Sequence, residues 1–136
     1  MTRPLQPVFA QLRGLLQAHE SSFDVADDDG ERYRLKAPVG SATIQAWGGK
    51  TKAATIPIAW VEVRKTYVSY HLMGIDGNPK IAMKLSQQLR RHMQGKTCFN
   101  FKTLDAGLIE ELRTVTAESL LGLRKAGFIA DRSVGG

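Results

Sequence analysis

Apolar residues recur three and four apart through residues 5–19, where Leu5, Val8, Phe9, Leu12, Leu15 and Leu16 fall on one stripe and predict an amphipathic helix. Pro4 and Pro7 suit only its first turn. The period then drops to two. Phe23 and Val25 alternate with polar residues, Asp27, Asp28, Asp29 and Gly30 supply turn chemistry, and residues 33–36 alternate again, which predicts a β-hairpin. Residues 43–47 extend this reading as a third strand, stopped by Gly48 and Gly49. Residues 55–63 and 66–73 are rich in β-branched and aromatic side chains and predict two more strands, paired through a turn at Arg64 and Lys65. Pro57 moves the start of its strand toward an edge or a bulge.

The helical period returns after residue 77. Asn78 and Pro79 read as an N-cap and first helical position, Ile81, Leu85, Leu89 and Met93 line one face, and Gly95 stops the helix as a left-handed cap. Residues 97–102 predict a short strand with Phe99 and Phe101 on one face and Cys98 and Asn100 on the other. A final helix over 105–126 buries Leu108, Ile109, Leu112, Val115, Ser119, Leu120 and Leu123, with Gly127 and Phe128 as its terminating cap. The order is helix, about five strands, helix, strand, helix. It implies an α+β fold, a two-layer sandwich in which an antiparallel meander carries helices on one face. One domain is expected over residues 1–130, with residues 131–136 as a flexible tail.

Composition narrows the function classes without choosing one. A chain of 136 residues with 43% hydrophobic content supports a single core. No apolar run approaches the ~18 residues of a membrane span, and Met1 to Pro4 is not followed by an apolar signal core, so a cytoplasmic address is expected. The lone Cys98 excludes an internal disulfide and a cysteine-based zinc site. A net charge of +6 attracts polyanions weakly, but acidic residues interrupt the basic ones.

Five groups of residues bear on chemistry. Asp27, Asp28 and Asp29 are candidate ligands for a divalent cation, although Asp and Gly are also the preferred turn formers and the alternating calcium-loop pattern is missing. Lys80, Lys84, Arg90, Arg91 and Lys96 could bind a polyanion from a basic helix, reinforced by Arg32, Arg34 and Lys36; such cations equally oppose a helix dipole and wet a solvent face. Trp47, Trp60, His71 and Cys98, with Tyr70 and Met73, are candidates for a pocket or a partner surface on an uncovered sheet face. Cys98, His71 and Asn100 also have the residue types of an activated thiol, yet Cys98 sits in an apolar phrase that favours packing. Gly48-Gly49-Lys50-Thr51 resembles the end of a phosphate loop, but Ile44 stands where its first glycine is required. No catalytic constellation is assembled, so a non-enzymatic module is the expectation.

The phrases Tyr67-Val68-Ser69-Tyr70-His71-Leu72-Met73 and Arg90-Arg91-His92-Met93-Gln94-Gly95-Lys96-Thr97-Cys98-Phe99-Asn100-Phe101 resemble the bacterial YdhG-like family over roughly residues 43–118. That resemblance implies a frataxin-like fold and, because one member type is described as an iron chaperone, iron as a possible cargo. Frataxin-type iron binding uses carboxylates along the first helix, since hard iron ions favour oxygen ligands. Here that helix carries Gln6, Gln11, Arg13 and Gln17, with Glu20 only at its end. The function expected is therefore a small binding or chaperone-like module for a protein partner, a second copy or a metal, with polyanion binding as the alternative.

Overall fold

The computed structural model describes residues 5–130, so the tail expected over 131–136 lies outside the described residues. Helix α1 (Gln6–Gln17) forms where predicted and buries Val8, Phe9, Leu12, Leu15 and Leu16. Strands β1 (Asp24–Asp28) and β2 (Arg32–Pro38) make the hairpin, whose turn is closed by Asp29 accepting the amides of Glu31 and Arg32 at 3.0 and 2.9 Å. Strands β3 (Thr55–Val63) and β4 (Val68–Leu72) pair antiparallel, as their composition predicts. Strand β6 (Cys98–Phe101) lies beside β4, and the two-residue β5 (Met93–Gln94) closes the edge. The sheet order is β1-β2-β3-β4-β6-β5, antiparallel throughout.

Alternation places one residue type on each face. Tyr33, Val61, Tyr70 and Phe99 are successive register partners across four strands, and each is fully buried. Helices α1 and α5 (Ala106–Lys125) cover this face and pack on each other, α5 contributing Leu112, Val115 and Leu120. Each fully buried large side chain contributes roughly 1.5–3 kcal/mol of hydrophobic stabilisation. A polar link buried between the layers is satisfied: the Tyr70 hydroxyl meets Thr116 Oγ1 of α5 at 2.6 Å. Asp105 caps α5 by accepting the Leu108 amide at 2.8 Å.

Two local expectations are corrected. Residues 43–47 are not a strand: Ser41–Ala46 form helix α2. The cause is tertiary. Gly40 lies against the chain after α5 so closely that a Cβ there would stand 2.1 Å from the Gly127 carbonyl oxygen. The amides of Gly40 and Ala42 donate to Phe128 and Gly127 at 2.9 and 3.0 Å, and the Thr43 hydroxyl donates to Phe128 at 2.6 Å. With those groups held by the C-terminal segment, Ile44 and Trp47 find their partners by closing helical turns, and β-propensity yields to context.

The single helix expected from Pro79 to the Gly95 cap is two short ones, α3 (Pro79–Lys84) and α4 (Gln87–Arg90). Leu85 is extended between them. Ser86 restarts the helix by accepting the Leu89 amide, while Glu111 of α5 accepts from both the amide and the hydroxyl of Ser86 at 2.7 and 2.5 Å. Three charge-assisted or capping bonds at one residue thus outweigh the continuous hydrophobic pattern. Asn78 occupies the N-cap position of α3 without a capping side-chain bond, and Gly95 turns β5 into β6 rather than ending a helix.

Candidate functional site

Residues one step away from the buried row point to the other face of the sheet. Arg34, Trp60, His71 and Cys98 are register partners across four strands, with Gln94 opposite Cys98 on the edge. A second row sets Arg32, Glu62, Ser69 and Asn100 side by side. A concavity of about 320 Å³ opens here, walled by Glu62, Ser69 and Asn100 of the second row, by His71 and Cys98, and by Arg64 from the β3–β4 turn. Trp60 borders it, its ring stacked on the His71 imidazole with centroids 4.6 Å apart and planes 16° from parallel.

The charges of this face are matched locally. Glu62 Oε1 accepts from Arg32 and from Arg64, each at 3.2 Å, and Asp27 pairs with Arg34 at 3.1 Å. Such partly exposed pairs contribute little stability, about 0–1 kcal/mol each, and serve here to hold the guanidinium groups in place. Between them, burial disfavours the charged forms of His71 and Cys98. Burial lowers the His71 pKa, against the opposing charge of Glu62, and favours uncharged imidazole. Burial likewise raises the Cys98 pKa, against a Tyr70 backbone bond and the charge of Arg64.

Cys98 and His71 are register neighbours, as an activated thiol would require, but burial disfavours the charged form of each. The thiol donates to Asn100 Oδ1 at 3.4 Å, and the Asn100 amide donates to Gln94 Oε1 at 2.5 Å. A thiolate is the nucleophile, and this environment disfavours it. What the arrangement provides is a set of hydrogen-bond donors and acceptors around one aromatic stack.

The structure brings together three of the four pocket candidates, Trp60, His71 and Cys98. Trp47 stands apart, half-buried at the end of α2; Tyr70 is in the core and Met73 lines a different cavity. The three aspartates are divided: Asp28 takes both Nε and Nη2 of Arg13 at 3.1 and 2.7 Å, Asp27 faces Arg34, and Asp29 closes its turn. Among the described residues no three His, Cys, Asp or Glu side chains gather as a metal site. Of the basic group, Arg90 donates to the carbonyls of Ala82 and Met83 at 2.9 and 3.3 Å and Lys84 lies 3.9 Å from Glu118. Lys80, Arg91 and Lys96 are exposed, but Lys80 is on α3, which packs against α5, and Lys96 lies in the β5–β6 turn, with β3 and β4 between that edge and the β2 strand of Arg32 and Arg34.

Sequence reasoning missed the roles of Glu62, Arg64 and Ser69. The signal was present, since Glu62 and Ser69 lie two residues from Trp60 and His71 and so share their face.

Comparison with protein-family models, curated proteins and solved structures gives no match for this chain. No helix among the described residues is long and apolar enough to cross a membrane.

Proposed function

We propose that the protein is a non-enzymatic binding module that recognises a protein partner through the uncovered face of its sheet. One observation carries this reading: Trp60, His71 and Cys98 form a continuous row at the edge of a polar concavity, on the face opposite the helices. Interface hot spots combine a large aromatic anchor and arginines with a hydrogen-bonding rim. Trp60 is the anchor, Arg32, Arg34 and Arg64 are the arginines, and Ser69, Asn100 and Gln94 belong to the rim. The polyanion reading is weaker, because each of those arginines faces a carboxylate and the helical cations lie in the other layer.

The test is comparative capture of partners by the full chain, a Trp60→Ala/His71→Ala variant and a Lys80→Ala/Arg91→Ala variant, each first confirmed folded by circular dichroism. A protein retained by the wild type and the helix variant but lost from the sheet-face variant supports the reading. Capture unaffected by the sheet-face changes, or abolished by the helix changes and by nuclease, overturns it.

A further inference from the structure

A second cavity, of about 550 Å³, opens elsewhere, between the loop over residues 75–79, α3, α4 and the β5–β6 turn. The chain breaks beside it at Leu85, whose extended backbone separates two helices that the hydrophobic pattern would have fused. Ile75, Ala82, Leu85 and Met93 give it apolar walls. Met83 also lines it, yet is 79% exposed, the most exposed large hydrophobic side chain among the described residues. A flexible thioether left in water beside an apolar groove is suited to closing over an apolar guest.

Charge selects the guest. Arg90 and Lys96 line this cavity, and Asp76 is its one carboxylate. Asp76 also lines the neighbouring cavity with Met73 and Phe128, so it marks the border between the two, whereas Arg90 and Lys96 belong to the first alone. The Arg90 guanidinium is pre-positioned by its bonds to the Ala82 and Met83 carbonyls. Lys96 makes no ion pair among the described residues. We propose that this groove binds an anionic amphiphile, a free medium-chain monocarboxylate whose head meets Arg90 and Lys96 and whose tail lies against Met83 and Met93. Cavities of this size with apolar walls and a few convergent polar groups are the usual form of small-molecule sites. The site is separate from the sheet face and does not depend on it.

The chain has four methionines, which makes methyl NMR a direct readout. In full-length protein with ¹³C-labelled methionine methyls, decanoate below its micellar concentration should shift Met83 and Met93 saturably and leave Met73 in place. Acetate and decyltrimethylammonium should not reproduce this. Lys96→Glu, at an exposed turn, should weaken decanoate by about tenfold, the loss of one charge-assisted contact. Met83→Gln should weaken it without altering the Met73 signal. Absence of saturable shifts at millimolar decanoate, an equal response to the cationic amphiphile, or unchanged affinity in Lys96→Glu would overturn the proposal.

Discussion

The two faces of this sheet are built from the same strands by alternate residues, and they have opposite tasks. Tyr33, Val61, Tyr70 and Phe99 make a row that excludes water entirely, while Arg34, Trp60, His71 and Cys98, each adjacent in sequence to one of them, make a half-buried polar row. A slip of one residue in register would exchange the rows, so the burial of the first is what fixes the orientation of the second. Stability is thus invested on the helical side. The uncovered side, half-buried, contributes less to the fold.

The sharpest way to break this contrast is to truncate neighbours on β6. Phe99→Ala should destabilise by about 3–5 kcal/mol in urea unfolding, through lost burial and a cavity that α5 cannot fill. Asn100→Ala, one residue along, should cost less than about 1 kcal/mol. Equal losses would mean that the outer face is as closely packed as the inner. Next in size is Gly74→Ala. The turn at Met73–Ile75 runs so close to α5 that a Cβ on Gly74 would stand 2.2 Å from the Ser119 carbonyl oxygen, between two backbones that cannot rotate away. A loss of about 1–3 kcal/mol is expected, measured as a lowered urea midpoint at unchanged slope.

A smaller effect tests the polar link in the core. Tyr70→Phe leaves the buried Thr116 hydroxyl without its partner and should cost about 1–2 kcal/mol. Adding Thr116→Val should recover part of that loss, because neither polar group then remains unpaired. If the double variant is simply the sum of the singles, the pair does not act as a unit.

The inner face was legible in the sequence because burial imposes a period. Alternation of Phe99 and Phe101 against Cys98 and Asn100, and the stripe of α5, led directly to their observed positions. The failures arose where distant backbone decided the outcome. Nothing local to residues 43–47 says that Phe128 and Gly127 will take the hydrogen bonds of Gly40, Ala42 and Thr43, nor does Leu85 announce that Glu111 will clamp Ser86. The site was partly legible for the same reason. Trp60, His71 and Cys98 were candidates by residue type, but their meeting depended on register, which spacing alone does not give. The aspartates looked like a cluster in sequence and are separated by their individual partners.

The smallest expected effect concerns protons on the outer face. Because burial lowers the native His71 pKa, the unfolded chain binds a proton near pH 6.5 before the native chain does. Above that value both states hold neutral imidazole and this residue adds no pH dependence. As the pH falls through it the unfolded state gains protons first, so stability declines until the native imidazole also titrates. His19, lowered by burial too, adds to the same acidic limb. Cys98 acts in the opposite direction: its raised pKa means that the unfolded thiol ionises first as the pH rises, and stability falls at alkaline pH. The sheet face should therefore be most stable between the two limbs, with imidazole and thiol both uncharged. An NMR titration of the His71 C2 proton should give a midpoint below 6.5, and His71→Asn should flatten the acidic limb, leaving the share due to His19. A midpoint at or above 6.5 would place a cation against Trp60 and make this face the more hydrated of the two by a wider margin than its half-buried geometry allows.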